Sequence, residues 1–513
     1  MAAALEFTVD GRPIEVPDDG ASLMEVLRDR LGIRSVKDGC SPQGQCGCCT
    51  VWVDGKPRVS CVTPARRVSG RDITTLAGLP ADARTCWGEA FCATGASQCG
   101  FCTPGIIMRL AGLDARSGVD RSRSAAATAL AAHLCRCTGW QTILEAWESY
   151  GTASSERDWA AASRRAEIEG GTAQAVGPVV ALGEGGFADD TVPEGALVAL
   201  SDGRGGWALG ETVAEARAAA GKVQGRRSPT VPPMPLEFPQ GDWAVRLRTS
   251  WVEPAYLETD ASWCAPGGEP ASPLANGGAF GAKAASRLPE TARRLADEHG
   301  RAVRVLWSRE DTVRHGPKRP PVAIGIDAQG RGVVRVARTP GVIDAVALVA
   351  PELAVEEVDI AGPPTSGAVR GAGWVEAAVA LSALDDGSEP VVSPGGGSAR
   401  AKWNREGLRI AVRGGNPLDE VVLRSYCIGA AHMAYSWVTS EALTVDADGE
   451  VHDLTIRSFG VVPAARMPPV EVEIEPSDGV PVNCSDAVFA AVAAATWRAA
   501  GHPPDWPTGS VFG

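Results

Sequence analysis

The chain has 513 residues, too many for one ordinary hydrophobic core, so about three or four domains are expected. A net charge of −13, with 22% charged residues, argues against nucleic acid and anionic membrane surfaces as partners. No apolar run approaches the roughly 20 residues of a membrane span. The N-terminus MAAALEFTVDG has neither a basic stretch ahead of an apolar one nor twin arginines, so a cytoplasmic chain is expected.

Residues 1–81 read as a small β-rich domain. LEFTV and PIEV flank Asp10-Gly11, and TVWV and PRVSC flank Asp54-Gly55; both dipeptides are hairpin turns. Between them the spacing predicts a helix from Ser22 to Leu31. It opens on a Ser22–Glu25 capping box and places Leu23, Val26, Leu27 and Leu31 on one face. Hairpin, helix, cysteine loop and hairpin is the layout of a ferredoxin-like β-grasp domain.

Residues 82–160 turn helical. Thr103-Pro104 is an N-cap and first-turn pair for IIMRLAGL. SRSAAATALAAHLCRC is alanine-rich and predicts a helix up to Cys135. Gly139 allows a turn, and Trp140, Ile143, Leu144 and Trp147 mark another amphipathic helix. Residues 161–180 read as a linker. Residues 181–230 and 231–513 mix short strands and helices. In them, EALTVDADGEVHDLTI predicts a hairpin around Asp448-Gly449, and VSPGGGSAR (392–400) a flexible connection or tip. The fold class is therefore α+β and multidomain: a β-grasp domain, a helical bundle, then a mixed α/β region.

Of 14 cysteines, eight fall into two quartets. Cys40, Cys46, Cys49 and Cys61 lie in GCSPQGQCGCCTVWVDGKPRVSC, and Cys99, Cys102, Cys135 and Cys137 in QCGFCTPG and CRCTGW. Thiolate quartets hold zinc or iron–sulfur clusters. The second quartet's C-x-C is poor zinc-ribbon spacing, and the two quartets sit on different scaffolds, so two iron–sulfur clusters are expected. Gly39, Gly44 and Gly47 let backbone N–H groups approach the first cluster. The plant-type spacing is C-x4-C-x2-C with a distant fourth cysteine; here the first loop is one residue longer. CGCCT lines up with a CGxCT core, which selects Cys46 and Cys49 and leaves Cys48 spare. Metal-held thiolates suit a reducing compartment.

Through these motifs residues 1–150 resemble the iron–sulfur subunit of the molybdenum hydroxylases, the family of xanthine oxidase, aldehyde oxidoreductase and carbon monoxide dehydrogenase. The resemblance implies that both clusters are [2Fe-2S] clusters, one near a molybdenum site and one near a flavin. It also implies that Gln98 and Cys137 lie against the pterin of a molybdenum cofactor. The rest of the chain resembles that family's molybdopterin-binding subunit. GFADDTVPEGALVAL is similar to the start of the small domain that precedes the cofactor domain, which makes 181–230 its remnant. In 231–513, GGAFGAK (277–283), SRED (308–311), RGAG (370–373) and the final helices follow the family's order. By resemblance Gly277, Gly278, Phe280, Gly281, Arg370 and Gly371 are cofactor-contact residues.

The departures point to degeneration. The region is short for a cofactor subunit. Where the family carries Gly-x-Gly-Glu before the last helix, this chain reads EIEPSDGVPVNCSDAVF, with Val480 and Pro481 after Gly479. Hydroxylation needs a base to deprotonate a metal-bound hydroxide. Glu473 and Glu475 sit in a strand whose charges read as a solvated face, so no catalytic residue is assigned.

The expectation is an iron–sulfur electron-transfer subunit of a hetro-oligomer, or hetero-oligomeric complex, with partners that carry the molybdenum cofactor and FAD. Gln98 and Cys137 would contact the partner's molybdopterin, and the C-terminal domain would hold no cofactor of its own and serve assembly. No FAD-binding pattern is visible in this chain. Two other readings stay open: a compact, self-contained molybdenum hydroxylase, and a non-catalytic redox-sensing protein.

Overall fold

The computed structural model describes residues 4–116, 118–154, 156–221, 234–272 and 278–509. In the first strand Leu5, Phe7 and Val9 alternate with Glu6 and Thr8, and β1 (Ala4–Val9) buries the apolar set. With β2 (Arg12–Pro17), β3 (Thr50–Val53), β4 (Lys56–Val59) and β5 (Asp72–Thr74) it forms one sheet in the order β2–β1–β5–β3–β4. The central pair β1–β5 is parallel and the others are antiparallel. Asp10, Gly11, Asp54 and Gly55 all take positive φ, as primed hairpin turns require. The Ser22–Glu25 capping box forms, opening a helix (Leu23–Glu25) that continues as a π turn (Val26–Arg30).

Four helices follow: α1 (Ala81–Thr94), α2 (Thr103–Asp114), α3 (Arg123–Ala129) and α4 (Gln141–Glu148). Trp87 of α1 stacks on Trp147 of α4, with ring centroids 6.3 Å apart. The helix expected to reach Cys135 ends earlier, in a 3-10 turn at Leu130–Ala132. His133 is extended, and the Leu134 N–H is taken by the Cys46 carbonyl at 3.0 Å, so the cysteines that follow turn inward. The N-cap of α2 is Cys102, one residue before the expected Thr103.

The stretch 161–180, expected as a linker, carries much of α5 (Trp159–Gly170), capped by Asp158. Its alanines Ala162 and Ala166 are fully buried, and Arg165 pairs with Glu169 at 2.5 Å, both side chains enclosed. Small residues at helical spacing here make a core face.

Beyond it lie three four-stranded sheets. The first joins Leu197–Ser201 and Trp207–Gly210 to Ala261–Cys264 and Val303–Leu306. It therefore spans both sides of the boundary expected near residue 230; residues 222–230 themselves lie outside the described residues. Helix α6 (Arg309–His315) follows, started by a Ser308–Asp311 capping box. Of the other two, one packs against the helix Trp374–Leu381, and the last against α7 (Glu420–Thr439) and α8 (Ser485–Ala499). Both α7 and α8 are apolar nearly all round, the pattern of a core helix.

Two further expectations change. Residues 392–400 are an ordered hairpin turn, in which the Ser393 N–H donates to the Gly397 carbonyl at 2.8 Å between Val391–Val392 and Ser398–Trp403. The hairpin around Asp448-Gly449 shrinks to a single bridge between Val445 and Val451. Its flanks bond elsewhere: the Leu443 N–H to the Trp251 carbonyl and the Thr444 N–H to the Asp453 carboxylate. Among the described residues no helix is long and apolar enough to cross a membrane.

His432 sits at the centre of α7, its Nε2 donating to the Val462 carbonyl at 2.8 Å. Burial pushes its pKa down to about 4, against about 6.5 in an unfolded chain. The unfolded state thus binds the proton more tightly. This contribution is present above pH 6.5 and lost as pH falls towards 4, by up to about 3 kcal/mol. Denaturant titrations at pH 7 and pH 5 should show about 2 kcal/mol of that loss, and His432→Gln, which keeps the donor, should reduce it.

Candidate metal centre

Cys40, Cys46, Cys49 and Cys61 are all buried, three in the loop between the first helix and β3 and one just after β4. Their thiols touch in a chain: Cys46 to Cys40, Cys40 to Cys61, Cys61 to Cys49. The backbone turns donors towards them. The N–H of Gln43 donates to Cys40 Sγ at 3.2 Å, and that of Cys61 to Cys49 Sγ at 3.4 Å. The contacts among the thiols hold the Cys40 thiol below the usual range and push Cys46 and Cys61 up. In this longer loop Ser41 adopts φ +46°. Gly47, at φ +75°, packs so closely on the His133 ring that a Cβ would lie 2.4 Å from it. The spare Cys48 is buried beside Cys46.

The second quartet forms two pairs. Cys99 Sγ lies 3.7 Å from Cys137 Sγ, and Cys102 touches Cys135. The Cys102 contact, helped by Thr138 at 3.1 Å, brings Cys135 down to about 7. Cys102 also caps α2, where the helix dipole favours negative charge. Paired thiols suit a two-iron cluster, whose four cysteines are shared between two irons. The two thiol quartets, with N–H or hydroxyl groups against their sulfurs, fit [2Fe-2S] clusters. The loops meet directly, through Leu134 N–H on the Cys46 carbonyl and through Gly105 of α2, whose Cβ would lie 2.3 Å from the Gly47 carbonyl.

The expected cofactor-contact residues also converge, but on closed space. Gln98 Nε2 donates to the Cys137 carbonyl and to Ser425 Oγ of α7, each at 2.9 Å. Gly429 of α7 packs so tightly that a Cβ there would be 1.7 Å from the Cys137 carbonyl. Arg136 makes a bidentate pair with Glu441, at 2.6 and 2.8 Å, and donates to the Pro254 carbonyl. Gly278 lies against Arg136 and Cys137, and Gly281 against the Ala368 carbonyl. Arg370 stacks 4.1 Å from the Phe280 ring centroid and pairs with Asp486 at 3.0 Å. Gly371 takes φ +66° at the start of the turn into the following helix. Gly277 lies outside the described residues.

The cavity among Gly278, Phe280, Arg319, Arg370, Trp437 and Phe489 has a volume of about 40 Å³. Ligand pockets usually offer about 300–1,000 Å³, so the space among the described residues does not fit a molybdopterin. Gln98 and Cys137, expected to meet a partner's pterin, are covered by α7 of this chain. Sequence reasoning missed Arg136 and Glu441, although Arg136 stands between two ligand cysteines. Glu473 is exposed, and Glu475 pairs with Arg413 at 2.8 Å; neither lines this cavity.

Fold and site together define an iron–sulfur redox protein of ferredoxin type, extended by a large α/β region. Residues 75–148 match the family model of the [2Fe-2S] binding domain. The chain is 40% identical over 148 residues to the xanthine dehydrogenase iron-sulfur-binding subunit of Escherichia coli O157:H7, covering 27% of this chain and 89% of that one. It is 41% identical over 134 residues to the aldehyde oxidoreductase of Megalodesulfovibrio gigas, covering 25% of this chain and 14% of that one. In fold it is similar to the aldehyde oxidoreductase of Desulfovibrio desulfuricans ATCC 27774, with a TM-score of 0.70, 14% identity and 99% of each chain covered. The chain belongs to the molybdenum hydroxylase family, on the iron–sulfur side of it.

Proposed function

We propose that this chain is the iron–sulfur electron-transfer component of a molybdenum hydroxylase assembly. Electrons come from a partner that carries the molybdenum cofactor and leave to a partner that carries FAD. The C-terminal region holds no cofactor of its own and braces the two cluster domains. The observation that carries this reading is the cavity of about 40 Å³ where the cofactor-contact motifs meet.

Cys40, Cys46, Cys49 and Cys61 would hold one [2Fe-2S] cluster, and Cys99, Cys102, Cys135 and Cys137 the other. When bound, such clusters supply one-electron exchange. The chain's own residues exclude water from both sites and join them, since the Leu134–Cys46 hydrogen bond links a neighbour of one ligand to a ligand of the other. The match to a separate iron–sulfur-binding subunit supports the hetero-oligomer. A self-contained hydroxylase would need a pterin-sized cavity and a base; at the motif's place Val480 is 82% exposed.

Iron and molybdenum analysis tests the reading, on the chain expressed alone and then with its genomic neighbours. About four irons and no molybdenum in the lone chain is expected, with molybdenum appearing only alongside a larger partner. Stoichiometric molybdenum in the lone chain would overturn it.

A further inference from the structure

The ligand loop of the β-grasp cluster is gripped from outside its own domain at three points. Arg309 of α6 is fully buried, and its Nη2 donates to the carbonyl of Gly39, the residue before Cys40, at 2.6 Å. Its Nε and Nη1 are buried with no hydrogen-bond partner among the described residues. The Gln43 side chain is used from end to end. Its Nε2 donates to Glu310 Oε1 at 2.9 Å and to the Leu454 carbonyl at 2.8 Å, and its Oε1 accepts from the Ile456 N–H at 3.0 Å. Arg457 donates through Nε to the Gln45 carbonyl and through Nη2 to the Ala131 carbonyl, each at 3.0 Å. Arg309, Glu310, Leu454, Ile456 and Arg457 all lie outside both cluster domains.

We propose that the C-terminal region sets the reduction potential of the β-grasp cluster, with Arg309 as a buried cation against its ligand loop and Gln43 as the clamp that fixes an N–H on its sulfur. Cluster potentials follow local charge, hydrogen bonds to sulfur and solvent exposure, and all three are controlled here. Reduction adds negative charge to the site. A guanidinium next to Gly39, whose Cβ position lies 3.1 Å from Cys46 Sγ, favours the reduced form and raises the potential. The Gln43 N–H that meets Cys40 Sγ at 3.2 Å belongs to the residue whose side chain Glu310, Leu454 and Ile456 hold. Arg457 adds a second positive charge, but an exposed one that salt screens. The inference rests on the two-cluster reading above, and it gives the C-terminal region a task that needs no cofactor. Arg309, Gln43 and Arg457 are positioning residues; none is a ligand.

The test is a redox titration of the full chain followed by electron paramagnetic resonance. The β-grasp signal is the one that Cys61→Ser abolishes. Arg309→Met should lower its potential, so that at a fixed poise the ratio of reduced to oxidised cluster falls about tenfold, about 59 mV for a one-electron couple. Arg309→Lys should recover most of that. Gln43→Ala should shift the same signal in the same direction by loosening the N–H on Cys40. Arg457→Gln should give a smaller shift that fades as salt rises. The helical-domain signal should titrate as in the unsubstituted protein throughout. Unchanged β-grasp potentials in both Arg309→Met and Gln43→Ala would overturn the inference. If Arg309→Met does not fold, an unchanged potential in Gln43→Ala overturns it alone. Failure of the unsubstituted protein to show two [2Fe-2S] signals would instead sink the proposed function.

Discussion

Cys102→Ser removes one of the two clusters and leaves the other. Cys102 sits at the N-cap of α2 with its thiol against Cys135, so the substitution takes a ligand from one iron of the helical site. A serine hydroxyl is a far weaker ligand at neutral pH, because iron–sulfur clusters are held by thiolates. The β-grasp quartet comes from separate segments around β3 and β4 and shares no cysteine with the helical one. Its loop meets the helical domain through contacts such as the Leu134 N–H on the Cys46 carbonyl and the His133 ring against Gly47. Iron per chain should therefore fall from about four to about two. In the reduced protein, one paramagnetic signal should vanish and the other persist with its own potential. Electron flow from a molybdenum-bearing partner should stop, since the path is broken in the middle. Two undiminished [2Fe-2S] signals would falsify the ligand assignment.

What could be read ahead of the structure was local. Cysteine spacing, the Asp10-Gly11 and Asp54-Gly55 turns and the Ser22–Glu25 capping box each depend on residues a few positions apart, and the chain folds as those patterns require. What could not be read depends on partners far along the chain. The alanines of α5 look like linker composition until α7 is packed against them. Arg136 and Glu441 are 305 residues apart, and no periodicity marks either as half of a buried pair. The strands expected around Asp448-Gly449 lose their ladder because Trp251 and Asp453 compete for the same N–H groups. Most consequential is the small space where two motifs meet. Residues 278–283 of GGAFGAK and the run RGAG come together, with the Arg370 N–H on the Phe280 carbonyl at 3.0 Å. The volume between them is set by Trp437 and Phe489 packing against Phe280, and of the three only Phe280 belongs to a motif.

Gly429→Ala probes that closure directly. Gly429 lies in the middle of α7, where alanine should raise helix propensity by up to about 1 kcal/mol. The added methyl would nevertheless stand 1.7 Å from the Cys137 carbonyl, a backbone atom of a ligand residue that cannot rotate away. Either α7 retreats, loosening the Gln98–Ser425 hydrogen bond, or the loop carrying Cys137 moves. Overpacking of this kind costs about 1–3 kcal/mol or more, which outweighs the propensity gain. The substitution should lower thermal stability and alter the shape of the helical-domain paramagnetic signal, with the β-grasp signal unchanged. Gly395→Ala is the control. Its nearest contact is Ser393 Oγ at 4.0 Å, so a methyl there meets open space and should leave stability and both signals as they were. A Gly429→Ala protein as stable as the parent, with both signals unaltered, would show that α7 does not seal the helical cluster. The face that carries Gln98 and Cys137 would then again be open to a partner's cofactor.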